Sequence, residues 1–158
     1  MKPVVSGLPV ALLLFGCLPA ALNTVTLTDA KPSGFFPLPE KVLASAPRIL
    51  SLTITKVVNP AGTALDIAVY LSFEPASATG RTTGRRERIL IGNISLYPPS
   101  HPAGFLMPVD EAFGKLEAAA PASHSSNVRL LIEMRRVHAR IPWTPVELVV
   151  APPAWREK

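Results

Sequence analysis

Two stretches of the chain alternate between apolar and polar residues with the period of two that is typical of β-strands. In the first, residues 48–58 (RILSLTITKVV), the side chains of Leu50, Leu52 and Ile54 share one face. The second, residues 65–74 (LDIAVYLSFE), has one entirely apolar face. A short turn containing Asn-Pro-Ala-Gly joins them, so we expect an antiparallel pair that packs against a second sheet.

Three further strands and one helix are predicted downstream. Residues 88–97 (RILIGNISLY) alternate until Gly92, and a glycine inside a strand often marks a bulge. Helical spacing of apolar residues occurs at residues 110–119. Residues 127–137 and 146–150 are two further strands, and residues 24–27 are a candidate for a short edge strand. The pattern predicts an all-β fold, an antiparallel β-sandwich of about six to seven short strands with one short helix.

Composition is consistent with one such domain. The chain has 158 residues, of which 48% are hydrophobic and 17% are charged, enough to bury a single core. Its 18 prolines and 9 glycines favour short strands and turns over long helices. We expect the sandwich at residues 48–152, a proline-rich lead-in at residues 24–47 and a tail at residues 153–158.

The first 23 residues have the layout of a secretory signal peptide. Lys2 precedes an apolar run at residues 8–22, and this run is shorter than the ~20 apolar residues of a membrane span. Cys17 ends the sequence Leu-Phe-Gly-Cys, which resembles a bacterial lipobox, so Cys17 is a candidate for lipidation. We expect export to the periplasm or the exterior, with a lipid anchor as one alternative. Another alternative is that the chain belongs to a longer protein.

The positive charge raises the question of nucleic-acid binding. The net charge is +5 and the pI is about 9.8, and basic domains bind phosphates. Arginines cluster in a Gly/Thr-rich loop at residues 81–88 and along the predicted strand at residues 129–140. The predicted strand carries no interleaved aromatic residues, which stack on bases in proteins that bind single strands. We therefore predict a solvated loop, a solvated strand face and no nucleic-acid partner.

Few residues suit catalysis or metal binding. The single cysteine excludes an internal disulfide and a zinc site built from cysteines. The three histidines, His101, His124 and His138, lie far apart and lack ligand spacing. A nucleophile elbow and a glycine-rich phosphate loop are also missing from the sequence. We predict a protein that is not an enzyme and needs no metal or cofactor.

Two phrases resemble the β-sandwich that follows the catalytic domain of tyrosinases and polyphenol oxidases. They are LDIAVYLSF at residues 65–73 and ILIGNISLYPPSHPAGFLMPVDEAFGKL at residues 89–116. In that family, a VYLNLP-like strand precedes a GSFSLF-like strand, a Gly/His-rich turn and a short helical segment. The resemblance covers roughly residues 24–150. It implies an accessory domain that shields or assists a copper oxidase. A dicopper oxidase needs six histidine ligands and this chain has three, so the oxidase would be a separate catalytic subunit.

The resemblance also suggests where such a partner would bind. The segment YPPSHPAGF at residues 97–105 matches the Gly/His-rich turn. In polyphenol oxidases, a side chain of the accessory domain can occupy the entrance of the copper pocket, and His101 and Phe105 are the candidates here. Alternatively, the turn only caps the sandwich. A different class of function is also open, namely a freestanding exported β-sandwich, lipid-anchored or not, that binds an envelope component.

Overall fold

The computed structural model describes residues 23–45, 47–74, 86–96, 101–119, 127–137 and 145–156. Within these ranges the chain forms nine strands and two helices. In chain order they are β1 (Val25–Thr28), β2 (Ser33–Pro37), α1 (Glu40–Ser45), β3 (Ile49–Val58), β4 (Leu65–Phe73), β5 (Glu87–Leu96), β6 (Ala103–Pro108), α2 (Asp110–Ala119), β7 (Arg129–Arg136), β8 (Glu147–Val150) and β9 (Ala154–Arg156).

The strands form two antiparallel sheets, which confirms the predicted all-β sandwich. The first sheet has the order β1-β8-β3-β6, and the second has the order β2-β7-β4-β5. Strand β9 also pairs with β3. It lies along the same edge of β3 as β8, because β6 occupies the other edge. The described strands outnumber the six to seven that we predicted.

The core lies between the two sheets. Leu50, Leu52 and Ile54 of β3, predicted to share one face, are all completely buried. In the facing sheet, β4 contributes an unbroken row of buried apolar side chains. These are Leu65, Ile67, Val69, Leu71 and Phe73. The alternation in the sequence therefore identified the inward face of both strands correctly.

The expected pairing of β3 with β4 is wrong, because the two strands belong to different sheets. The Asn59 side chain closes the connection between them. Its amide donates a hydrogen bond to the Thr63 carbonyl (2.8 Å) and accepts one from the Thr63 N–H (3.1 Å). Both edges of β4 are occupied by β5 and β7, whereas β3 pairs with β6, β8 and β9. A short turn can therefore cross between the sheets as well as form a hairpin.

The two segments expected outside the sandwich contribute to it. The proline-rich lead-in contains β1, β2 and α1, and its residues Phe36, Leu38 and Val42 are buried in the core. Pro37 is tolerated because it ends β2, an edge strand. In the tail, Trp155 of β9 packs edge-to-face on Phe113 with 5.9 Å between ring centroids.

The bulge predicted at Gly92 is confirmed. Tyr70 pairs with Leu90 while its neighbour Val69 pairs with Gly92, which leaves Ile91 as the extra residue of β5. A Cβ atom on Gly92 would lie 2.6 Å from the terminal methyl carbon of Met107. The glycine thus allows β5 to approach the Met107 side chain of β6 closely.

One ion pair connects three elements at the end of the sandwich. Asp29, in the turn between β1 and β2, accepts hydrogen bonds from the Arg136 guanidinium at 2.8 and 2.7 Å. It also accepts one from the Val146 N–H, just before β8, at 2.9 Å. The Asp29 and Arg136 side chains are only 16% and 12% exposed. This contact therefore ties the chain's crossover between the sheets to β7 and β8.

The helices are short. Helix α2 has the predicted bounds and buries Ala112 and Leu116, whereas the six-residue α1 was not predicted. Crossing a lipid bilayer would require a longer and more apolar helix than either of these two, the only helices in the described ranges. Residues 1–22 of the predicted signal peptide at residues 1–23, Cys17 among them, lie outside the described residues.

Candidate functional site

The predicted contact segment joins the two sheets. Strand β5 ends in the second sheet, and β6 begins at Ala103 in the first. His101 is exposed and lies two residues before β6, while residues 97–100 are outside the described residues. The YPPSHPAGF segment therefore connects the layers, and His101 is accessible beside the first strand that follows.

Phe105 lies within β6, and its side chain is neither fully buried in the core nor extended into solvent. It pairs with Leu52 of β3 and packs, partly buried, against the core. Its neighbour Leu106 points to the opposite face of the strand and is 64% exposed. No other large hydrophobic residue in the described part of the chain is more exposed. The structure thus adds Leu106 to the residues available for partner contact.

Leu106 was missed because residues 97–105 were interpreted as a turn. If the segment had been recognised as a strand, the alternation of side chains would have placed Phe105 and Met107 on one face and Leu106 on the opposite face. On the outer face of the first sheet, Ile49 and Pro108 lie on one side of Leu106, and Thr53 and Gly104 lie on the other. The pairing partner of Leu106 is Ser51, which also pairs with Ala154 of β9. The strongly exposed Leu106 therefore extends a small apolar patch that includes Ile49 and Pro108.

Metal binding finds no support among the described residues. None of their His, Cys, Asp and Glu side chains form a group of three that could hold a metal ion. His124 and His138 lie outside the described ranges, so the structure does not bear on them. His101 is the one histidine whose position is described, and it lies in an exposed bend.

A second accessible surface is the outer face of the second sheet. Phe35, Leu131, Tyr70 and Leu90 are register neighbours across β2, β7, β4 and β5, and we call them the apolar row. Phe35 is 52% exposed and Leu90 is 48% exposed, while the two central side chains are half-buried. A continuous apolar band thus crosses all four strands on the face turned away from the core.

Charged side chains flank the apolar row and interact with it. The Arg129 guanidinium lies 4.6 Å from the ring centroid of Phe35, a cation–π contact. Glu133 accepts hydrogen bonds from Arg88 (2.7 Å) and Arg135 (2.8 Å). Arg135 also donates to the Tyr70 hydroxyl at 2.7 Å. The polar groups bordering the band are therefore organised within the chain.

These contacts shift two ionisation equilibria. Hydrogen bonds from Arg135 and Arg88 lower the pKa of Glu133, although partial burial acts in the opposite direction. The pKa of Arg135 is raised, chiefly by its hydrogen bond to Glu133 and by the Tyr70 hydroxyl. Both shifts favour the charged forms. At neutral pH, the cluster therefore carries a carboxylate between two guanidinium groups.

The aromatic residues beside the arginines come from neighbouring strands. Phe35 and Tyr70 contact Arg129 and Arg135 only because β2 and β4 flank β7. Aromatic residues supplied by neighbouring strands cannot be recognised within a single arginine segment of the sequence. The absence of a nucleic-acid partner stays a prediction. Arg81, Arg85 and Arg140 lie outside the described residues.

The Glu133 cluster predicts a specific pH dependence. A carboxyl group whose pKa is lower in the folded than in the unfolded protein stabilises the fold. The full stabilisation is present when the pH is above the pKa of the unfolded state, about 4.3, and it is lost as the pH falls through the pKa of the folded state. We expect Glu133→Gln to destabilise the protein by about 1 kcal/mol at pH 7, with a smaller difference from wild type at pH 3. Urea unfolding at both pH values measures this. Glu117→Gln, an exposed change on α2, is the control, and an undiminished difference at pH 3 would contradict the prediction.

Comparisons with known proteins leave the chain without an assigned relative. No protein-family model matches it, and no curated protein sequence is significantly similar to it. The resemblance to the accessory domain of tyrosinases therefore stays a hypothesis, based on the phrases that form β4, β5, β6 and α2.

Proposed function

We propose that the chain is a non-catalytic accessory domain that shields or assists a separate copper oxidase through protein–protein contact. The observation that supports this most is the location of the resembling phrases. They occupy the consecutive elements β4, β5, β6 and α2, and the segment that matches the Gly/His-rich turn joins the two layers. His101, in that segment, is exposed. A residue that enters a partner's pocket must be accessible in this way.

The backbone around the proposed contact is already ordered. Every residue of β6, from Ala103 to Pro108, is in register with β3. Leu106 is therefore presented by a strand rather than by a loop that must fold on binding, and the same strand begins two residues after His101. Preorganisation of this kind lowers the entropy lost on association. It favours β6 and the bend before it as the partner-binding rim.

The three candidate residues have different roles in this proposal. Leu106, an exposed apolar side chain, is suited to a hydrophobic pocket entrance, and His101 is suited to a polar rim. Phe105 packs on the core and supports the strand that carries Leu106. Three histidines cannot supply a six-histidine dicopper centre, so in this proposal the oxidation chemistry belongs to the partner.

Substitutions on the rim test the proposal. His101→Ala and Leu106→Ala are expected to weaken binding to a co-expressed tyrosinase-type oxidase, or to raise its diphenolase activity, severalfold. Both residues are exposed, so each change should alter the free energy of unfolding by less than about 1 kcal/mol. Thr26→Ala, an exposed change on the opposite edge strand β1, is the matched control. Unaltered binding and activity in both rim variants would refute the proposal.

The gene neighbourhood provides an independent check. A tyrosinase-type reading frame next to this one would support the accessory role. The absence of such a neighbour would favour the alternative of a freestanding exported β-sandwich that binds an envelope component. Copper added to the purified chain should produce no phenol oxidation in either case, since both readings place no oxidase in this chain.

A further inference from the structure

Strand β5 and helix α2 enclose a groove with a volume of about 710 Å³, within the range of about 300–1,000 Å³ that is usual for ligand sites. The strand lines it with four consecutive residues, 88–91, and the helix lines the other side with Asp110, Glu111, Ala112 and Lys115. A strand face would contribute only every second residue, because successive side chains point to opposite faces. The groove therefore follows the edge of β5, where the main-chain groups lie.

The edge of β5 that faces the groove is not paired with any strand in the described part of the chain. Strand β5 is the last strand of its sheet and pairs only with β4. Before the bulge at Ile91, residues 87–90 pair with β4 in an uninterrupted register. In an antiparallel ladder, alternate residues direct their N–H and C=O groups to opposite edges, so about two of these four residues present both groups to the groove. An edge of this kind is a template for another strand.

From the open edge and the helix beside it, we infer that the groove binds an extended peptide segment of a partner protein by strand addition. The segment pairs with residues 87–90 through about four main-chain hydrogen bonds and ends at the bulge, which interrupts the ladder. This surface differs from the proposed rim and requires no oxidase as the partner, so the inference does not rest on the proposed function.

The groove fits a separate segment better than it fits a second copy of the chain. A strand that lies between β5 and α2 must have a free second edge, because the helix occupies the space beside it. In a second copy, the other edge of β5 carries β4 along its whole length, so that sheet would collide with α2. A single extended segment has no such neighbour. The occupant is therefore a peptide strand with one edge paired to β5 and the other facing the helix.

Apolar side chains border the open edge on both faces of the sheet. Ile89 packs, partly buried, against the core. Its neighbour Leu90 is 48% exposed on the outer face, where it belongs to the apolar row. Successive residues of an added strand lie beside these two side chains in turn. Apolar, β-branched residues suit both positions and also favour the extended conformation, so the central residues of the segment are of this type.

One carboxylate of the groove is available to a ligand. Glu111 and Lys115 pair with each other at 2.6 Å, and Arg88 is bound to a carboxylate of β7 at 2.7 Å. Asp110, by contrast, has a long contact of 3.8 Å with the guanidinium of Arg48, and both side chains are more than half exposed. A lysine or arginine at one end of the segment can therefore pair with Asp110, and this pair would fix the direction of the segment along β5.

Fluorescence anisotropy of labelled peptides added to the full chain tests the inference. The probe is the peptide KVIVTV, capped at both ends, which carries a basic residue before an apolar extended run. We expect saturable binding with a dissociation constant between micromolar and submillimolar, because a short added strand buries little surface. The same peptide with N-methyl groups on its two central residues keeps every side chain but loses a donor at each edge, so its affinity should fall about tenfold or more. Equal affinities, or no saturable binding of either peptide, would contradict strand addition.

Charge reversal tests the location of the site. Asp110→Lys should weaken the binding of KVIVTV severalfold and strengthen the binding of EVIVTV, in which a carboxylate replaces the ammonium group. Glu117→Lys makes the same charge change at an exposed position of α2 outside the groove. It is the matched control and should change either affinity much less. Equal effects of the two substitutions would show that the peptide binds elsewhere.

Two further measurements separate this inference from its alternatives. Sedimentation equilibrium of the same samples shows whether a second copy takes the edge instead, and a dimer that excludes the peptide would overturn the inference. His101→Ala and Leu106→Ala, which alter the rim, should bind KVIVTV as wild type does. The peptide site and the proposed function can therefore fail independently of each other.

Discussion

Replacing Phe36 by alanine is expected to lower the free energy of unfolding by about 3–5 kcal/mol, the usual cost of removing a buried phenylalanine ring. Phe36 is 4% exposed and belongs to the core between the sheets. The cost has two sources, because the ring loses its transfer free energy and leaves a cavity that the rigid strands around it fill only in part. Urea unfolding followed by far-UV circular dichroism measures the change.

The adjacent residue provides a matched control. Phe35 carries the same side chain but is 52% exposed on the outer face of β2. Phe35→Ala should cost less than about 1 kcal/mol, mainly through loss of its cation–π contact with Arg129. If the two alanine variants were equally stable, β2 would not be part of the cooperative fold, and residues 24–47 would behave as the proline-rich lead-in that the composition suggested.

Replacing Asp29 by alanine is expected to cost about 2–3 kcal/mol, because it removes a carboxylate that is largely shielded from water and accepts three hydrogen bonds. Removing one member of a fully buried ion pair costs about 3–5 kcal/mol, and the partial exposure of this pair places the expected cost below that range. The Val146 N–H loses its acceptor as well. Thermal or urea unfolding at neutral pH measures the loss.

Glu147→Ala is the control for that experiment. Glu147 binds Lys56 at 2.8 Å and connects β8 to β3, but the two side chains are 37% and 57% exposed. Exposed pairs contribute about 0–1 kcal/mol. A similar loss in both variants would show that the Asp29 contact has no special importance at the junction of β1, β7 and β8.

Apolar patterning predicted strands as short as the four-residue β8 but missed the six-residue β6. β3, β4, β5, β7, β8 and the helix α2 all lie where the alternation or the helical spacing placed them. β2 and β9 have only five and three residues, and β2 contains glycine and proline. Their extended conformation depends on pairing with β7 and β3, which is a tertiary interaction. Glycine and proline interrupt the apolar pattern of both β2 and β6, and the three residues of β9 are too few to show a period.

Pairing partners and accessible surfaces were harder to predict than strands. The Asn-Pro-Ala-Gly turn after β3 is of a kind common in hairpins. The sheet that each flanking strand joins nevertheless depends on which strands from the rest of the chain pair with its edges. The same limit applies to the sites. His101 could be placed beside a strand from the sequence, whereas the apolar row requires the register of four strands. Two of its members, Phe35 and Leu90, lie in segments far apart in the sequence.

The pairing of β1 with β8 has a kinetic consequence. Val25 is the register partner of Val150, so nearly the whole described chain separates the two. Sandwiches built from such distant partners fold slowly, in milliseconds to seconds, because long loops must close before the contacts stabilise them. During synthesis, β1 and β3 emerge long before β8 and remain with unpaired edges. Those edges can pair with other chains until the C-terminal strands arrive, so the newly made protein should benefit from chaperones that cover them.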